Sequence, residues 1–131
     1  MRSTAAALER PAGSRCPIHE FQPLVSGKYK LRIVWDLRDG ALRYNEIRRG
    51  LLRGNVSASE IAARVLSREL KMLTEMGVIR RIDYLQVPPK VEYELTPSGY
   101  SLIPIIAAIH DWSIGNLNVE PRKPRRQTAR A

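Results

Sequence analysis

The residues best suited to chemistry on a partner lie between Arg64 and Lys71. On a helix turning about 100° per residue, Arg64, Ser67, Arg68 and Lys71 fall within roughly 100° of one another. Ala62, Val65, Leu66, Leu70, Leu73 and Met76 share the opposite arc, roughly 140° wide. One face is built to be buried, and the other carries cations and a hydroxyl. Arginine donates two hydrogen bonds to guanine O6 and N7, while lysine and serine hold phosphates or bases. The plainer alternative is the solvated face of an ordinary amphipathic helix. Glu69 is out of place on the apolar arc, and the sequence names no partner for it.

A second basic group, Arg80, Arg81 and Lys90, flanks Gln86-Val87-Pro88-Pro89. Prolines cannot continue a sheet ladder, so this tetrapeptide reads as a hairpin tip. A hairpin that follows a basic-faced helix can lay cations along phosphates or into a minor groove. Its plainer alternative is a surface hairpin with no partner.

Cys16 is the single cysteine. It forms no intrachain disulfide, which fits a reducing cytoplasm and leaves an interchain bond or a reactive thiol. Thiolate chemistry needs nearby cations, and Arg15 and His19 are its sequence neighbours. A half-buried structural thiol is the plainer reading. Cys16 with His19 makes half a metal site, so no metal is expected. His110 reads as a packing or interface residue. No glycine-rich phosphate loop, catalytic triad or paired-carboxylate site emerges, and Glu92 and Glu94 share one strand face that reads as solvent-facing. Neither a cofactor nor an enzymatic reaction is expected.

The elements that must hold these groups follow from periodicity and punctuation. Leu31, Val34, Trp35 and Leu37 predict a helix over Lys28 to Leu37, stopped by Asp39-Gly40. Ile47, Leu51 and Leu52 predict a shorter one over Tyr44 to Leu52, broken by Gly54-Asn55. A third helix starts at Ser57, where Ser57 and Glu60 have capping-box spacing, and ends at Gly77. Strands are expected over Val78 to Leu85 and Lys90 to Leu95. Thr96 as N-cap and Pro97 at the first helical position open a last helix running to about Ile114, with Pro104 bending it. The fold class expected is mainly α with a small β-hairpin. In this order the elements describe a winged helix-turn-helix with an added C-terminal helix.

The chain has 131 residues, enough for one domain with one core. Hydrophobic residues make up 44% and charged residues 27%, which excludes a disordered or membrane composition. No apolar run approaches the roughly 18 to 20 residues of a membrane span, and residues 1–10 lack the apolar segment of a secretory signal. The net charge is +9, of which residues 119–131 supply a large part through Arg122, Lys123, Arg125, Arg126 and Arg130. Such charge favours DNA, RNA or an anionic membrane surface, or serves solubility alone. A single Phe and no stacking-aromatic motif count against RNA. Residues 1–13 are expected to be a disordered arm, 14–118 the folded domain and 119–131 a basic disordered tail.

Three stretches also resemble a known family. Cys16-Pro17, Leu24-Val25-Ser26-Gly27-Lys28-Tyr29-Lys30-Leu31 and Arg43-Tyr44-Asn45-Glu46-Ile47-Arg48-Arg49 form the first. The run Val87-Pro88-Pro89-Lys90-Val91-Glu92-Tyr93-Glu94-Leu95-Thr96-Pro97-Ser98-Gly99 is the second. Leu66-Ser67-Arg68-Glu69-Leu70-Lys71-Met72-Leu73, with Trp112 closing the last helix, is the third. Together they resemble the HxlR family of bacterial transcriptional regulators over most of the chain. The resemblance implies a homodimer paired through its terminal helices and bound to operator DNA. Carried over by position, Ser67, Arg68 and Lys71 would touch DNA from the recognition helix and Lys90 from the wing, with Arg64 at another basic position of that helix. Cys16 matches a position where many members carry a cysteine, and some use it to sense oxidants or electrophiles. Between Arg49 and Leu66 this chain runs several residues longer than the family pattern.

The function expected is therefore a homodimeric, cytoplasmic, DNA-binding regulator reading a roughly palindromic operator through a recognition helix and a basic wing. Cys16 is its candidate redox residue. No residue pattern names a small-molecule effector, although a cavity between the first helix and the dimer helices is one place for it. The competing expectation is a winged-helix protein-interaction module that does not read DNA.

Overall fold

A computed structural model of the chain describes residues 15–53 and 63–118. The first element among the described residues is a helix that periodicity does not announce: α1, Pro17–Val25. Pro17 starts it at a position where a missing N–H costs nothing, after Cys16 in extended conformation. Phe21 and Leu24 turn inward against the core. Pro17 and Pro23 in nine residues hide this helix from a reading by pattern.

Gly27, at φ +84°, reverses the chain. The left-handed turn delays α2 to Lys30–Asp36, two residues later than the spacing predicts. A single 3-10 turn, Leu37–Asp39, completes that stretch. Ile33, Val34 and Leu37 are fully buried, each worth about 1.5–3 kcal/mol of transfer from water. Next come β1, Leu42–Arg43, and α3, Tyr44–Leu52, the latter with the bounds its periodicity predicts. Glu46 Oε1 accepts from Arg43 N at 2.7 Å, satisfying an amide at the helix start.

The break at Gly54-Asn55, the start at Ser57, the arm 1–13 and the tail 119–131 all lie outside the described residues. The described part of the basic-faced helix is α4, Ala63–Glu75. It ends as its glycine predicts. Gly77 adopts φ +78°, and the amides of Gly77 and Val78 donate to Thr74 O and Leu73 O at 3.0 and 3.1 Å.

Strands β2, Ile79–Asp83, and β3, Val91–Leu95, form the antiparallel hairpin. The expected two-stranded hairpin is the larger part of a three-stranded sheet ordered β1-β3-β2. Leu42 and Arg43 pair with Tyr93 and Glu92. A strand of two residues offers no alternation to read, which is why the spacing omits it.

Helix α5, Pro97–Asn116, closes the domain and runs two residues past the expected end, with Pro104 inside it. Thr96 joins three elements. Its hydroxyl donates to Gly77 O at 2.6 Å and accepts from Gly99 N at 3.1 Å. Its amide donates to Val78 O at 3.0 Å. Gly99 is required by this close approach, because a Cβ there would stand 2.2 Å from Val78 O. Leu102 and Ile106 anchor α5 in the same core as Ile33, Ile47, Leu66 and Leu70. The result is a winged helix-turn-helix followed by a long helix.

Candidate nucleic-acid interface

From Ala63 on, helix α4 presents its two faces as the spacing predicts, Ala62 lying outside the described residues. Leu66, Leu70 and Leu73 are buried, and Val65 and Met76 pack partly against the core. Arg64, Ser67, Arg68 and Lys71 are exposed. Lys71 lies 4.0 Å from Glu75, both solvent-exposed, a pair of little energetic weight. Arg64 and Arg68 meet no carboxylate among the described residues. Among the described residues, the guanidinium groups of Arg64 and Arg68 are thus exposed and unmatched by a carboxylate.

The hairpin divides its cations between two sides. Arg81 is opposite Tyr93 in the register, and with Tyr93 it lines a shallow groove shared with Ser67, Lys71 and Thr74 of α4. Thus Ser67, Lys71 and Arg81 are brought together. Arg80 and Lys90 are not part of that groove. Successive strand residues alternate faces, so Arg80 stands away from Arg81 and faces Glu94, its cross-strand partner, in an ion pair. Lys90 Nζ lies 4.0 Å from Glu92 and 4.4 Å from the centre of the Tyr84 ring.

Glu92 and Glu94 therefore do not simply face solvent. They are partly buried against the wing's cations. Arg81 likewise has Asp83 at 3.7 Å. The Tyr84 hydroxyl donates to Glu92 at 2.8 Å. That bond, followed by lost solvation and the carboxylate's charge, raises the Tyr84 phenol above its ordinary value of 10.0.

Two contacts behind this surface escape a reading by pattern. Glu69 finds its partner in Lys30, with Nζ and Oε1 2.8 Å apart and both side chains almost wholly buried. Two opposite charges, each on an otherwise apolar helix face, were the available signal. Tyr44 at the start of α3 donates its hydroxyl to Ala63 O at 3.2 Å, tying the two helices of the helix-turn-helix together.

Cys16 is half-buried before α1, and Arg15 beside it pairs with Glu20 at 3.1 Å. His19 is exposed. No cluster of three His, Cys, Asp or Glu among the described residues is placed to hold a metal. His110 is exposed on α5 and borders an open groove between α2 and α5 of ≈ 530 Å³, lined also by Leu31, Trp35, Arg38, Ile106 and Ile109. No helix among the described residues is long and apolar enough to cross a membrane.

With this geometry in place, residues 24–121 match the model of the HxlR-like helix-turn-helix family. The chain belongs to the HxlR-like helix-turn-helix family. This HxlR-like chain is similar to named transcriptional regulators. The uncharacterized HTH-type transcriptional regulator YdeP of Bacillus subtilis (strain 168) is 39% identical over 97 residues, covering 74% of this chain and 70% of YdeP. An uncharacterized HTH-type transcriptional regulator of Methanothermobacter thermautotrophicus is 41% identical over 97 residues, covering 74% of this chain and 69% of that one. Among solved structures, the redox regulator HypR in its oxidized form is similar, with a TM-score of 0.65 and 36% identity over 77% of this chain and 97% of HypR. Family and relatives place this HxlR-like chain among DNA-binding transcriptional regulators.

Proposed function

We propose that the protein is a homodimeric regulator that inserts the α4 of each copy into successive major grooves of a roughly palindromic operator. The observation that carries this reading is the exposed face of Arg64, Ser67, Arg68 and Lys71, with Arg64 and Arg68 meeting no carboxylate among the described residues. Arg68 serves as base reader, Arg64 as a further basic contact, and Ser67 and Lys71 contact phosphates or bases. Arg81 extends the same surface from the wing. Arg80, Arg81 and Lys90 reach DNA by exchanging their carboxylate neighbours for phosphates. The basic tail, residues 119–131, adds salt-sensitive affinity that does not depend on sequence.

Pairing of copies is supported by the apolar surface of the terminal helices. Ile105, Ile109 and Trp112 follow helical spacing along α5 and are 51%, 40% and 58% exposed. Ile18 and Val25 of α1 are also exposed. Two copies joined here would present two recognition helices about one DNA turn apart. This role involves no catalysis. Thiol control through Cys16 is a subsidiary part of the proposal, supported by the likeness to HypR. It predicts that diamide weakens or strengthens operator binding in the parent protein and leaves a Cys16→Ser variant unaffected.

The test is fluorescence anisotropy with a duplex selected by the protein from a random pool, against a scrambled duplex, over a salt series. A preference of tenfold or more, about 1.4 kcal/mol, supports a sequence reader. Equal, steeply salt-dependent binding to both duplexes refutes specific reading. Absence of binding at low salt moves the assignment to a protein-interaction module. Sedimentation equilibrium at the same concentrations checks the dimer.

A further inference from the structure

We infer that Lys30 and Glu69 are positioning residues for the recognition helix, fixing the rotation at which α4 presents Arg64, Ser67, Arg68 and Lys71 at the expense of folding stability. The inference rests on the DNA-reading role of α4 and goes beyond it by naming what sets the helix's angle.

Glu69 sits on the core side of α4, adjacent in sequence to Arg68 and among the buried Leu66, Leu70 and Leu73. Lys30, the first residue of α2, is 3% exposed and Glu69 is 4% exposed. Besides facing Glu69 Oε1, the ammonium donates to Ser26 O at 3.1 Å. The loop before α2 closes over the pair. A Cβ at Gly27 would stand 3.1 and 3.4 Å from the two Glu69 oxygens and 3.4 Å from Lys30 Nζ. The φ of +84° favours glycine there, and a Cβ would also crowd the pair.

Such a pair is a poor way to gain stability. Both ions lose their water, and Glu69 Oε1 makes no directed hydrogen bond among the described residues. Their attraction only partly offsets that loss, and apolar residues of similar volume commonly serve as well or better. What apolar packing lacks is direction. The surrounding leucines and isoleucines would tolerate a small rotation of α4, whereas the ion pair would lose its partner and strand a buried charge. A rotation of about 20° moves atoms about 6 Å from a helix axis by about 2 Å. That displacement exceeds what a bidentate arginine–guanine contact accepts. The pair thus acts on the DNA face from the opposite side of the helix, without touching DNA.

The experiment compares the full-length parent, Lys30→Met alone, the double variant Lys30→Met with Glu69→Leu, and Arg68→Ala. Each is measured for thermal midpoint and for binding to the selected and scrambled duplexes. The single variant, which leaves a carboxylate buried without its cation, is expected to lower the midpoint. The double variant is expected to match or exceed the parent's midpoint and to keep its affinity for scrambled DNA, because no surface cation is removed. Its discrimination between the duplexes is expected to fall by tenfold or more. A double variant that discriminates as the parent does overturns the inference. So does one that fails to fold, since the pair would then be structural support. If the parent itself does not discriminate, or Arg68→Ala discriminates fully, the DNA-reading role of α4 fails instead.

Discussion

The recognition helix and the wing are both basic in composition, yet they present charge differently. On α4, Arg64 and Arg68 stand without a carboxylate partner among the described residues, and the inward Glu69 is taken up by Lys30. On the hairpin, Arg80, Arg81 and Lys90 each have a carboxylate nearby, from Glu94, Asp83 and Glu92. Counting arginines and lysines would make the two elements equal partners for DNA. Among the described residues, pairing leaves Arg64 and Arg68 of the helix unmatched, with Lys71 beside Glu75, and leaves no cation of the wing without a nearby carboxylate. A phosphate approaching the wing must compete with a carboxylate already in place, so the wing adjusts binding more than it drives it.

The largest effect that would break this contrast is expected at Arg68. Arg68→Ala should weaken binding to the selected duplex by about fivefold to a hundredfold or more, about 1–3 kcal/mol, with little change toward scrambled DNA. Anisotropy against both duplexes reads the difference. Lys71→Ala should weaken both duplexes about equally and lower the slope of log affinity against log salt by about 1. Arg80→Ala should cost less than either helix variant, and a loss comparable to that of Arg68→Ala would show that the wing's pairing does not shield it.

Releasing the wing's charge should sharpen the contrast in the other direction. Glu94→Gln frees Arg80, and binding to scrambled DNA should tighten a few-fold while the salt slope steepens. Folding stability should fall by no more than about 1 kcal/mol, because the Arg80 end of the pair is exposed to solvent. The smallest effect concerns Tyr84. The hydrogen bond to Glu92 raises its phenol above 10.0, so the fold favours the protonated form. Its contribution to the wing is complete below the ordinary tyrosine value and is lost as pH climbs through the raised one. Tyrosinate absorbance should show a late-titrating component that disappears in Tyr84→Phe.

Much of this was legible in the residues. Tyr44 to Leu52, the Thr96-Pro97 helix start and the Gly77 stop were all readable, because each rests on local rules of period and capping. The split faces of α4 were readable for the same reason. Four features were not. The prolines masked α1, and two residues of β1 carried no alternation. The pairing of the wing's cations depended on register: Glu94 meets Arg80 only because Ile79 is paired with Leu95. The buried Lys30–Glu69 pair likewise joins residues that only tertiary packing brings together.

The junction at Thr96 and Gly99 has a mechanical consequence. Helix α5 is pinned there to the end of α4 and the start of the sheet. From this pivot it extends as a lever of about 30 Å, so a tilt of about 5° swings its far end by about 3 Å. In the proposed dimer, the seating of one glycine against the Val78 carbonyl would thereby calibrate the reach between two distant reading heads.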